Sequence, residues 1–195
     1  MISLLNKFIF LKILKWKITG DIPTDKKLIF AVGPHTSAYD FFVGLFFRSH
    51  LKMENQIKFI GKAELFQIPI FGLFLRSIGG IPVIRNKSNN LVDYLVNVIN
   101  DNKEIYLSLF PEGTRSKVDK LKTGFYFIAL KSKIPIQPIG FDFEKRIVDF
   151  GKKFNPSGDI DKDMKHITYY FSKFKGKFPE NGLNPVSYTH LTLPT

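Results

Sequence analysis

The stretch Leu28-Ile-Phe-Ala-Val-Gly-Pro-His-Thr-Ser-Ala-Tyr-Asp40 settles the fold class. Its first five residues are apolar without interruption and are closed by Gly33 and Pro34. The run is too short for a helix and has no wet face, so residues 28–33 predict a buried strand. Polar residues then lead into 37–50, where Phe41, Phe42, Leu45 and Phe46 predict a helix. The alternation continues outward from there. Strands are expected at 57–60, 81–84, 104–110 and 134–141. Helices are expected at 88–100, with Leu91, Val92, Leu95, Val96 and Ile99 on one face, and at 123–133. Strands alternating with helices predict a single α/β domain with a mixed, mostly parallel sheet flanked by helices. Pro135 and Pro138 suit a sheet margin for 134–141, because proline cannot donate to a ladder. Past Phe150 the pattern weakens, and residues 166–174 fit either a strand or a helix.

The length of 195 residues suits one domain, and a chain of this size buries roughly 70% of the surface it exposes unfolded. With 44% apolar and 24% charged residues, disorder is excluded as the main description. The absence of cysteine excludes disulfides, Cys-ligated metal sites and a thiol nucleophile, and no metal site is expected. The formal charge of +12 attracts polyanions, whether nucleic acid, an anionic membrane or a phosphorylated small molecule. A lysine-rich solvated surface explains the excess as well. No nucleic-acid recognition motif is present, so nucleic acid is not an expected partner, and a non-catalytic basic binding module is the remote reading. Arginine is scarce: Arg48, Arg76, Arg85, Arg115 and Arg146 are all there are.

Two apolar stretches bear on membranes. The first eighteen residues, MISLLNKFIFLKILKWKI, are two-thirds apolar and carry Lys7, Lys12, Lys15 and Lys17. The lysines interrupt any span, and the order of charge and apolar residues is wrong for a secretory signal. Residues 1–20 are therefore expected to be an amphipathic helix in the headgroup layer, with Trp16 at the polar boundary. The competing reading is a helix docked on the protein's own core. The second stretch, residues 65–75, contains Pro69 and Gly72, which argue against a spanning helix. It is either buried or faces lipid, and sequence does not separate the two. The final ten residues, VSYTHLTLPT, read as a translated adapter scar, so 186–195 is set apart as a non-native tail and the domain is expected at 21–185.

Three segments put chemically capable residues at strand ends, where α/β sheets place their sites. In the first, His35 and Asp40 can act together: imidazole accepts a proton near neutral pH, and a carboxylate on its other nitrogen stabilises the imidazolium. Five residues apart on a regular helix they would point roughly 140° apart, so a turn must bring them together. A helix-capping histidine and a solvated aspartate is the plainer alternative. The second segment is Phe110-Pro-Glu-Gly-Thr-Arg-Ser116, in which Gly113 lets backbone amides approach an anion and Arg115 offers a planar fork to phosphate. Alone, it reads equally as an ordinary turn. The third is Gly79-Gly-Ile-Pro-Val-Ile-Arg85.

In this order and spacing the segments resemble the glycerolipid acyltransferase family, specifically the 1-acylglycerol-3-phosphate (lysophosphatidate) acyltransferases. The family's H-x4-D motif is matched by His35 and Asp40, its Gly-to-Arg motif by residues 80–85, and its F-P-E-G-T-R-S motif, without a change, by residues 110–116. Its apolar segment with a central proline is matched by residues 134–138. The resemblance covers about residues 28–142. It implies acyl transfer from acyl-CoA or acyl carrier protein to the sn-2 hydroxyl of a lysophosphatidate, giving phosphatidic acid in phospholipid biosynthesis. No cofactor is expected beyond the thioester co-substrate. His35 would be the general base and Asp40 its orienting partner. Arg85 and Arg115, with Glu112, Gly113 and Thr114 shaping the loop, would bind the acceptor's phosphate, and Lys122 would add positive charge. Another lysophospholipid or an aminolipid is the alternative acceptor. The expected partners are the lysophospholipid, the thioester donor and an anionic membrane surface, and the expected location is the cytoplasmic face of a membrane.

Overall fold

The computed structural model of the chain describes residues 9–84 and 88–183. Seven strands, β1 (Lys17–Gly20), β2 (Lys27–Gly33), β3 (Ile57–Lys62), β4 (Gly80–Val83), β5 (Ile105–Leu109), β6 (Ile136–Asp142) and β7 (Ile147–Phe150), form one sheet in the order β1-β7-β6-β2-β5-β3-β4. β6, β2, β5, β3 and β4 run parallel. β7 is antiparallel to β6, and β1 is parallel to β7. The helices are α1 (Tyr39–His50), α2 (Phe71–Ser77), α3 (Ser88–Asp101), α4 (Gly124–Ser132) and α5 (Ile160–Phe171). None among the described residues is long and apolar enough to cross a membrane.

β2 shows why its sequence has no polar face. Leu28, Phe30 and Val32 pack with Val43 and Phe47 of α1 on one side, while Ile29 and Ala31 pack against α3, α4 and α5 on the other. Both faces are covered, as parallel strands require. In α3, the buried Leu95 and Ile99 lie on the face that the periodicity marks.

Two expectations are corrected. β6 is interior, between β2 and β7. Its Pro138 lies opposite Gly151, one residue past the end of β7: the Gly151 N–H donates to the Pro138 carbonyl at 2.9 Å, and the Gly151 carbonyl accepts instead from Gln137 Nε2 at 2.9 Å. A side chain thus supplies the donor that proline lacks, and the margin argument fails. At the N-terminus, no helix runs to residue 18. Ile9–Ile13 forms a short π-helical segment, and the chain then enters the sheet as β1 at Lys17. Trp16 is 6% exposed, stacked on buried Phe10 at 6.0 Å and edge-on to Phe143 at 5.0 Å, so it belongs to the core and not to a headgroup boundary. Residues 1–8, Arg85 and the 186–195 tail lie outside the described residues. The choice left open for residues 166–174 falls to helix: 166–171 complete α5, which is capped by Asp159 accepting from the Lys162 N–H at 3.0 Å, and 172–174 lie past its end.

Parallel pairing brings the C-terminal ends of β2 and β5 side by side, with Ala31 in register with Leu109. The loops that follow them, 34–38 and 110–123, therefore meet at one edge of the sheet.

Candidate active site

The turn after β2 solves the geometric problem of the H-x4-D spacing. Residues 35–38 precede α1, and Asp40 sits in the helix's first turn with its carboxylate directed back at them. Its Oδ2 accepts from His35 Nδ1 at 2.8 Å and from the Thr36 and Ser37 backbone N–H groups at 3.0 Å each. Ser37 Oγ accepts from the Tyr39 N–H at 3.1 Å and firms the turn. Asp40 has no exposure, and a carboxylate is tolerated there because three donors and the positive end of α1 replace its water. With Oδ2 the acceptor, Nδ1 carries the imidazole proton and Nε2 keeps its lone pair for a substrate. The His35 side chain is 19% exposed, and its ring stacks on Phe110 at 3.9 Å.

Glu112 braces the same turn from the other loop. Its Oε1 accepts from the His35 backbone N–H at 2.7 Å, and the side chain is 1% exposed. Burial, with a smaller contribution from the Asp40 charge and opposed by that hydrogen bond, pushes its carboxyl up to about 7. Glu112 therefore shapes the site from inside, and it is His35 that it holds.

The rest of the 110–123 loop is organised by two backbone bonds, Gly113 N–H to the Phe110 carbonyl at 3.0 Å and Lys122 N–H to the Pro111 carbonyl at 2.7 Å. Gly113 has φ +67°, and a Cβ there would lie 2.9 Å from Lys122 Cδ and Cε and 3.0 Å from its Nζ. Glycine is needed both for the backbone and for the Lys122 side chain to lie along the loop. Thr114 and Arg115 are solvent-exposed. Neither side chain bonds to His35, Asp40 or Glu112 among the described residues, and Thr114 Oγ1 accepts only from the Ser116 N–H at 3.3 Å. Among the described residues no group of three or more His, Asp or Glu side chains is placed to hold a metal ion.

The structure brings together His35, Asp40 and Glu112 in one cluster and Gly113 and Lys122 in another on the adjoining loop. Sequence reasoning missed three participants. Phe110 forms the stacking floor for His35, a role signalled only by an aromatic residue at the end of a strand. The Thr36 and Ser37 amides are invisible in any side-chain pattern. The third is the segment after α5, which returns to the site: the Phe178 N–H donates to Thr36 Oγ1 at 3.2 Å, and Gly176 packs against the same threonine.

The family model described as Acyltransferase matches residues 15–142. A 1-acyl-sn-glycerol-3-phosphate acyltransferase of Streptococcus pneumoniae is 30% identical over 138 residues, covering 66% of this chain and 50% of that protein. One from Escherichia coli is 34% identical over 85 residues, 41% of this chain and 35% of that protein. A chloroplastic one from Brassica napus is 34% identical over 95 residues, 46% of this chain and 27% of that protein. The chain thus spans half or less of the length of these relatives. No solved structure matches it. Since the family match runs from β1 through the end of β6 and encloses both site loops, this chain belongs to the acyltransferase family.

Proposed function

We propose that this chain transfers a fatty acyl group from acyl-CoA or acyl carrier protein to the sn-2 hydroxyl of 1-acyl-glycerol-3-phosphate. The observation that carries the reading is the Asp40 carboxylate fixed by three donors, one of them His35 Nδ1. Nε2 takes the proton from the acceptor hydroxyl as its oxygen attacks the thioester carbonyl, and Asp40 stabilises the imidazolium that forms. The tetrahedral intermediate collapses, the C–S bond breaks, and the imidazolium returns the proton to the departing thiolate. No acyl-enzyme is formed, in keeping with a chain that contains no cysteine.

Lys122, lying along Gly113, and the exposed Arg115 supply the positive charge for the acceptor's phosphate, joined by Arg85 from the Gly-to-Arg motif. Relatives named for this reaction support the choice of acceptor. The donor is water-soluble and the acceptor a membrane lipid, so the chemistry belongs at an interface, at the cytoplasmic face where such thioesters are made. The test is incubation of the purified chain with acyl-CoA, acyl carrier protein thioester and a panel of lysolipids, with products identified by mass. Phosphatidic acid is expected from the wild type and roughly a thousandfold less of it in the same time from His35→Ala. Substantial retained turnover in that variant would reject the base assignment.

A further inference from the structure

Six large apolar side chains within ten residues, Leu65, Ile68, Ile70, Phe71, Leu73 and Phe74, face solvent, with Ile70 82% and Leu73 72% exposed. They occupy the 3-10 turn Ala63–Gln67, the link after it and α2, directly past the C-terminal end of β3. That is the end of the parallel strands at which His35 lies. The segment is held firmly. Phe66 is buried beneath it with the Arg76 guanidinium 5.3 Å over its ring. Gly72 and Gly80 approach so closely that a Cβ would fall 2.2 Å from the Phe66 carbonyl oxygen and 2.8 Å from its ring, respectively.

Ile70 is anomalous twice. With φ 62° and ψ −55°, and the Phe71 N–H donating to the Pro69 carbonyl, it centres a positive-φ γ-turn, a conformation strained for any β-branched residue. It also projects an isoleucine almost wholly into water. Glycine or asparagine would relieve both penalties, so the side chain is retained for contact with an apolar phase.

Charge identifies that phase. From residue 58 to 76 the cations are Lys58, Lys62 and Arg76 against a single acid, Glu64, and Lys62 and Arg76 are exposed. Apolar tips rimmed by cations fit an anionic bilayer, whereas a second copy of the patch would set cation against cation. We propose that residues 65–74 are an element that inserts into an anionic bilayer, with Ile70 and Leu73 entering the acyl layer and Lys62 and Arg76 meeting headgroup phosphates. The proposal rests on exposure, strain and charge, and does not require the acyltransfer reading.

A cysteine-free chain allows single-site labelling. An environment-sensitive fluorophore on Leu73→Cys is expected to shift to the blue with phosphatidylcholine–phosphatidylglycerol vesicles, while the same label on Asp101→Cys does not respond. The double variant Ile70→Ser, Leu73→Ser is expected to lose vesicle binding by at least about tenfold, as removal of two buried aliphatic chains implies, with an unchanged circular dichroism spectrum. A label at 73 that stays in water while one on Ile13→Cys enters lipid would overturn the proposal in favour of the N-terminal segment. A shift at 73 that grows with protein concentration in the absence of vesicles would overturn it in favour of self-association. Acyl transfer to a short-chain, water-soluble lysophosphatidate is expected to persist in the double variant. Its loss with vesicle binding retained would place residues 70 and 73 in the site and overturn the proposal.

Discussion

The two halves of the site are built to different tolerances. The His35 half is the more buried and its central groups are fixed: Asp40 Oδ2 by three donors, the His35 backbone by Glu112, the ring by Phe110, while Asp40 Oδ1 and Glu112 Oε2 are buried with no hydrogen-bond partner among the described residues. The 113–122 half is largely exposed, with Thr114, Arg115 and Ser116 in solvent, and it is tied by a backbone bond at each end, by Lys122 lying along Gly113 and by the buried Leu121. Proton transfer needs heavy atoms placed to within fractions of an ångström, whereas attraction between a cation and a phosphate falls off slowly with distance. On the proposed function, precision is concentrated where the chemistry demands it, and the half proposed to meet the phosphate keeps exposed side chains that can reach a lipid headgroup.

Substitutions should divide along that line. His35→Ala is expected to give the largest loss, roughly a thousandfold in kcat with the fold intact. Asp40→Asn comes next, roughly a hundredfold in kcat: an amide oxygen can still accept from Thr36 and Ser37 but no longer offsets imidazolium charge. Steady-state kinetics with KM little changed in both variants would confirm that the buried half acts in the transition state. A large rise in KM for either would erase the distinction.

Glu112→Gln tests the brace through stability. The wild-type carboxyl is pushed up to about 7 in the folded state from an ordinary 4.5, so folding binds its proton more tightly. The stabilisation this gives is complete below about pH 4.5 and is lost as pH rises to about 7. Glutamine keeps the oxygen that accepts from His35 but cannot ionise. The stability of the variant relative to wild type is expected to rise by roughly 3 kcal/mol between pH 4 and 8, read from urea unfolding at both pH values. A pH-independent difference would show that Glu112 is not desolvated as described. Arg115→Ala should have the smallest effect, about a tenfold rise in acceptor KM with kcat nearly unchanged, and the rise should shrink at high salt because the charge is exposed. An effect confined to kcat would move Arg115 into the buried half.

Most of the central sheet was legible because its signals are local. β2, β5 and α3 announce themselves by apolar runs or periodicity long enough to have one solution, and H-x4-D at a strand end marks its own candidate. β1 and β7 were not legible. Each has four residues, and their pairing joins Lys17 to Ile147, which no local window contains. Pro138 misled for a related reason, since the side chain that compensates for it acts across to Gly151.

The sequence alone determined the α/β class, the pairing of His35 with Asp40 as the candidate site, and the presence of two apolar, cation-flanked stretches. Only the tertiary structure decided what those stretches do. It buried Phe10 and Trp16 against α1 and Phe143, and it set Ile70 and Leu73 out in water at the edge of the sheet where His35 lies. Hydrophobicity is a property of a side chain, whereas burial depends on what else the fold brings within reach. The same reason explains Glu112, whose carboxyl reads from sequence as a loop residue and is turned inward by a backbone N–H that lies seventy-seven positions earlier in the chain.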